Sequence, residues 1–176
     1  MSNAIQNLYD TLLIAGYKAW LVNDQPQLPP RVFCQTLVDE RERPFVFEVM
    51  FTADMTVLTD DPQDPTDVDS TLQMLLMSLQ LPIPLNQSAL PQAYRLFNVL
   101  NTLLPMGTYL INEDDQSMHL KAAIPCMGDP SNAVVMEVFD MLTAFVSQSA
   151  SIIENVCSGE VALEEALAQL QAASAP

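Results

Sequence analysis

Basic residues are scarce in this 176-residue chain. Six Lys and Arg face 22 Asp and Glu, for a formal net charge of −16 and an isoelectric point near 4.1. The six are Lys18, Arg31, Arg41, Arg43, Arg95 and Lys121, and no cation follows Lys121. Nucleic acids and anionic membranes are bound through clustered cations, so neither is an expected partner. A charge of this size keeps a protein in solution and attracts a basic partner at low ionic strength.

Glycine is nearly as rare, with four in the chain: Gly16, Gly107, Gly128 and Gly159. Phosphate-cradling loops need glycines so that backbone amides can approach the phosphate, and no glycine-rich loop exists, which excludes nucleotide chemistry. Each of the four falls at the edge of a predicted element. The one histidine, His119, stands in Met118-His119-Leu120-Lys121 on a predicted strand. A general base needs an orienting partner and a nucleophile, and the sequence pairs it with neither. No Gly-x-Ser-x-Gly elbow is present, and no His/Cys spacing suits zinc. The three cysteines, Cys34, Cys126 and Cys157, are widely spaced without a CxxC, as expected of buried thiols in a reducing compartment. No run of roughly 18 apolar residues marks a membrane helix and no basic n-region marks a signal peptide, so the expected location is cytoplasmic. These absences leave no catalytic, cofactor-binding or metal-ligating residue to assign, and the chain reads as a non-enzyme.

What is present is apolar: 49% of the residues are hydrophobic and 16% charged. A chain of this length buries roughly 70% of the surface its unfolded form exposes, so a core needs neither metal nor disulfide. Ten methionines suit an adaptable interior or contact surface. The expected organisation is one domain over residues 1–160, with a C-terminal helix and tail over 161–176.

Ile5, Leu8, Tyr9, Leu12 and Leu13 recur at helical spacing, which predicts a first helix over 4–15, capped by Ser2 or Asn3 and closed by Gly16. Runs rich in aromatic and branched residues over 17–22, 32–38 and 45–51 predict strands, with 55–58 a continuation of the third. Alternation puts Phe45, Phe47, Val49 and Phe51 on one face, with Val46 and Met50 opposite. A strand apolar on both faces suggests a covered sheet or an interface. The run 72–85 lacks a clean period and fits helix or strand equally. Ser88 caps a second helix whose stripe is Leu90, Ala93, Phe97, Leu100 and Leu104, with Pro91 tolerated in its first turn. Strands over 108–111 and 118–124 flank the acidic turn 112–116. A third helix spans about 133–157, capped by Asp129 or Ser131, and a last one about 161–172. This order fits an α+β fold with one antiparallel-rich sheet and helices packed on it.

Three features carry alternatives. Asp60, Asp61, Asp64, Asp67 and Asp69 offer oxygens to a divalent cation, yet the loop lacks the central glycine and closing glutamate of an EF-hand and also reads as a hydrated acidic loop. Glu113-Asp114-Asp115 lies at a hairpin tip with no cleft for acid–base work. The wide stripe of helix 133–157 packs against the sheet or forms part of a dimer or partner groove.

One stretch is more specific. Leu72-Gln73, Leu81-Pro82, Tyr94-Arg95-Leu96-Phe97-Asn98-Val99-Leu100-Asn101, Leu103-Leu104-Pro105-Met106-Gly107-Thr108-Tyr109, Met118-His119-Leu120-Lys121 and a long helix closing at Ser158-Gly159-Glu160 follow one another over roughly 71–160. This pattern resembles the bacterial YbjN-like group, whose members look like type III secretion chaperones in fold. The resemblance implies a helix–sheet–helix–hairpin–helix domain, usually dimeric and without catalytic residues. It also makes 71–85 a strand and lets Lys121 fill the place of a basic residue late in the second hairpin strand. The function it implies is a protein-binding chaperone or adaptor acting as a homodimer on a protein partner. The alternative is a stress-response or sensory domain that binds a small ligand.

Overall fold

The computed structural model describes residues 2–23, 29–39, 41–51, 72–127 and 131–173. The first helix, α1 (Ser2–Ile14), buries Ile5, Leu8 and Leu12 on one face. It ends in a left-handed Gly16 at φ 87°, where the Gly16 and Tyr17 amides donate to Leu13 and Leu12 carbonyls. This paired closure stops the helix and turns the chain into the sheet. Ser2 and Asn3, expected to cap, lie inside the helix.

Three strands follow: β1 (Lys18–Val22), β2 (Arg31–Val38) and β3 (Pro44–Phe51). Next come β4 (Leu72–Gln80), a 3-10 turn (Gln87–Ala89) and α2 (Leu90–Leu103). The hairpin of β5 (Thr108–Asn112) and β6 (Ser117–Met127) precedes α3 (Asn132–Ser158) and α4 (Leu163–Ala173). The described strands form one six-stranded sheet in the order β1-β2-β3-β4-β6-β5, with every neighbouring pair antiparallel. The α+β class expected from the sequence is thus the class observed.

Several boundaries differ from expectation. β4 stops at Gln80 rather than Leu85, because Pro82 and Pro84 cannot donate to a ladder; Leu81 still bonds the Met118 carbonyl at 2.8 Å. Asn86, not Ser88, caps the turn into α2: its side chain accepts from Ser88 N at 3.1 Å and Ser88 Oγ at 3.0 Å. Ser131 occupies the cap position of α3 without a side-chain bond, whereas Gly159 closes that helix in the left-handed conformation as expected. β6 runs three residues further, to Met127, than the periodicity indicates. The predicted continuation at 55–58, the Asp60–Asp69 loop and Asp129 lie outside the described residues.

The core lies between the helices and one face of the sheet. Cys34, Phe47, Leu79, Leu120 and Tyr109 form a row across five strands, and Val32, Val49, Met77 and Ala122 form the row beside it; all of them are buried. Strand alternation alone puts these residues on one side. α3 lies over them, with Phe139 at 5.2 Å from Phe47 and 5.1 Å from Tyr17, centroid to centroid. Each such aromatic or aliphatic side chain contributes roughly 1.5–3 kcal/mol on burial. Leu163 and Ala166 of α4 belong to the same core.

Among the described helices, α3 is the one long and apolar enough, by length and composition, to cross a membrane. The expectation found no such segment because Glu137, Asp140 and Glu154 interrupt the apolar run. Its apolar residues have a use inside the fold: Val135, Val138, Phe139, Leu142, Val146, Ile153 and Val156 are all buried in the core.

Candidate functional site

The sheet has a second face, and no described helix lies on it. Alternation puts Trp20, Phe33, Glu48, Ser78, Lys121 and Thr108 in one row across all six strands. The flanking rows supply Val22, Arg31, Met50 and Leu76 on one side and Lys18, Gln35 and Val46 on the other, with Gln80, His119 and Leu110 further along. None of the apolar members, Trp20, Val22, Phe33, Val46, Met50, Leu76 or Leu110, packs against the core. The expectation that β3 is apolar on both faces is met, and Val46 and Met50 are the residues turned away from the helices.

An aromatic pair marks one side of this face. Trp20 stacks on Phe33 with centroids 5.8 Å apart and rings 14° from parallel. The Arg31 guanidinium sits over Phe33 at 5.6 Å and pairs with Glu48 at 2.6 Å. Trp20, the only tryptophan in the chain, keeps 40% of its surface exposed.

Next to the pair is an open cleft of about 390 Å³ whose lining includes Phe33, Val46, Glu48, Ser78, Gln80 and His119. His119 has partners here that the sequence reading did not assign. Ser117 Oγ lies 2.5 Å from Asp115 Oδ1 and 2.6 Å from His119 Nε2. Ser117 and His119 alternate along β6 and so fall on one side, and the turn before the strand brings Asp115 to Ser117; the Asp-x-Ser-x-His spacing was the available signal. A carboxylate only accepts, so the Ser117 hydroxyl donates to Asp115, and the ring Nε2–H donates to Ser117. The polarity is opposite to that of a hydrolytic Ser–His pair, in which the ring takes the hydroxyl proton. His119 Nδ1 is buried without a hydrogen-bond partner among the described residues. Burial, then the charge of Lys121, holds the ring below its usual value against the opposing pull of Asp115.

Charge on the strands is segregated. Lys18, Arg31, Glu48 and Lys121 are the only Lys, Arg, Asp or Glu residues in the six described strands. All four point away from the helices. Lys18 and Lys121 are exposed.

A second cleft, of about 450 Å³, lies between the β2–β3 turn and α3. Here Arg43 pairs with Asp39 at 2.6 Å and with Glu154 at 2.7 Å. Arg41 Nη1 approaches Glu154 Oε1 to 2.7 Å without the alignment of a hydrogen bond. Burial pushes Asp39 up, but bonds from Arg43 and from the Arg41 amide outweigh it and hold its carboxyl below the usual range. Two cations meet two anions, so the cluster ties the turn to the helix and is charge-balanced.

Asp114 and Asp115 belong to turn hydrogen bonds with Asn112 and Ser117, and Glu113 accepts from the Tyr94 hydroxyl. The apolar stripe of α3 faces the core, which leaves Glu137, Asp140, Ser147, Gln148 and Ser151 on its outer side. All three cysteines are free and buried. No group of three or more His, Cys, Asp or Glu among the described residues is placed to hold a metal. Neither a family model nor a curated protein matches the sequence.

Proposed function

We propose that this protein is a non-enzymatic binding module, chaperone- or adaptor-like, that receives another polypeptide on the open face of its sheet. The observation that carries this reading is the apolar and aromatic surface of Trp20, Val22, Phe33, Val46, Met50, Leu76 and Leu110, which no described element covers. Trp20 is exposed and the other six are partly buried; apolar side chains gathered on one open face in this way mark an interaction site. The donor polarity of the Asp115–Ser117–His119 chain supports a non-catalytic role, since the ring is in no position to activate the hydroxyl. The resemblance of residues 71–160 to the YbjN-like group points the same way and adds a dimer to the reading.

A photo-crosslinking residue at Leu76, compared with one at Gln148 on the outer side of α3, tests it in cells. Position 76 is expected to capture another polypeptide and position 148 to capture none. Equal capture at both, or at neither, removes the reading. A second reading, a small-ligand sensor, is favoured by the cleft of about 390 Å³ with its buried His119 Nδ1. A ligand there raises the melting temperature, and a His119→Leu variant loses that response.

A further inference from the structure

We infer that the open face takes an acidic polypeptide segment with an apolar centre, although the chain itself carries a net charge of −16. This rests on the docking reading above and adds the sign of the partner. All four arginines are ion-paired with described acids: Arg31 with Glu48, Arg41 with Glu154, Arg43 with Asp39 and Glu154, and Arg95 with Glu164. Neither lysine, Lys18 or Lys121, has an acid partner among the described residues. Both are exposed on the open face. Acids far outnumber bases in the chain, yet no acid among the described residues pairs with these two cations, which lie on the same face as Trp20 and Phe33.

The geometry suits a segment rather than a point ligand. Lys18 is on β1 and Lys121 on β6, four strand intervals apart, which at about 4.8 Å per interval is roughly 20 Å. Between them lie Phe33, Val46, Ser78 and the cleft, and the intervening acid, Glu48, is already held by Arg31. A segment with apolar side chains in the middle and a carboxylate towards each end meets apolar surface centrally and a lysine at both sides. A basic segment meets the same apolar surface but two like charges. Two separated lysines are too few for a phosphate backbone, whose binding needs many contacts.

Trp20 provides the readout, because the only indole of the chain lies on this face. The full chain is titrated with synthetic peptides sharing one Phe/Leu/Val centre and flanked on both sides by Glu, by Lys or by Ser, at physiological salt. The Glu-flanked peptide is expected to shift Trp20 emission to the blue. It should bind about tenfold more tightly than the Lys-flanked one, the effect of gaining two exposed attractions and avoiding two repulsions. A Lys18→Gln/Lys121→Gln variant should erase the preference, and Lys18→Glu/Lys121→Glu should reverse it; both sites are exposed, so the fold survives. Equal binding of all three peptides, or preference for the Lys-flanked one, overturns the inference while leaving the docking reading in place. No emission change with any peptide overturns both. A wild-type dimer that Leu76→Glu dissociates in sedimentation equilibrium makes the occupant a second copy of the chain and also overturns it.

Discussion

The side-chain amide of Asn101 holds both backbone groups of Tyr109. Its Oδ1 accepts from the Tyr109 N–H at 2.7 Å and its Nδ2 donates to the Tyr109 carbonyl at 3.0 Å. An amide side chain at the end of α2 thereby acts as one residue of an added strand on β5, which is an edge of the sheet. An exposed edge invites pairing with another chain, and this contact occupies part of it. The Tyr109 ring is fixed from the other side, against Phe97 at 5.2 Å and by its hydroxyl to Ser149 at 2.8 Å. Asn101 and Tyr109 therefore form one structural joint between α2 and β5.

Replacing Asn101 with Ala leaves two backbone groups of a buried residue without a protein partner. We expect a loss of about 1–3 kcal/mol, read as a melting temperature lower by roughly 2–4 °C per kcal/mol for a chain of this size. Hydrogen exchange at the Tyr109 amide should accelerate more than at amides in β3. Unchanged exchange there would show that the clamp contributes nothing.

Gly107 and Gly16 separate conformational strain from steric strain. Both have positive φ, 99° and 87°. A Cβ on Gly107 would sit 2.9 Å from the Lys121 carbonyl oxygen, a backbone atom, whereas one on Gly16 meets nothing within 4 Å. Gly16→Ala is expected to cost about 1–2 kcal/mol from its left-handed backbone alone. Gly107→Ala should cost clearly more in urea denaturation, because β6 must also shift.

The thiols should be inert while the protein is folded. Burial pushes Cys34 and Cys157 up to about 12, and raises Cys126 as well. Only the thiolate attacks, so Ellman's reagent at pH 8 should find almost no reactive thiol in the native chain and three in denaturant. Fast reaction of one thiol in the native state would contradict the packing described.

His119 should titrate below its ordinary 6.5, as followed by NMR, and Lys121→Gln should bring the midpoint back part of the way. The folded ring holds its proton less tightly than the unfolded one. Its contribution to stability is therefore complete above about pH 6.5 and is lost as the pH falls from there through the folded value. His119→Gln should remove that part of the acid sensitivity from a denaturation series.

Local chemistry was legible where the period was clean. Phe45, Phe47 and Val49 alternate and were assigned their face correctly, and Gly16 and Gly159 marked helix ends by the conformation only glycine adopts readily. The segment 72–85 was not readable by period, because β4 carries Leu75, Met77 and Leu79 on its buried face and Met74 and Leu76 on the other. The site was less legible than the fold. Lys18, Arg31, Glu48 and Lys121 are scattered over residues 18–121, and they share a face only once the strand order and register are known. Asp115, Ser117 and His119 did alternate visibly, but nothing in the spacing tells whether the ring accepts or donates.

The one-sided placement of strand charge also guards the fold against its nearest alternative. If the strands slid by a single position relative to the helix layer, Lys18, Arg31, Glu48 and Lys121 would turn inward together and Phe47, Met77 and Leu120 would turn out to water. Each buried ion would cost several kcal/mol, far beyond what a shifted ladder recovers. The cations and the carboxylate on the outer surface thus act as a ratchet for strand alignment, whatever else that surface binds.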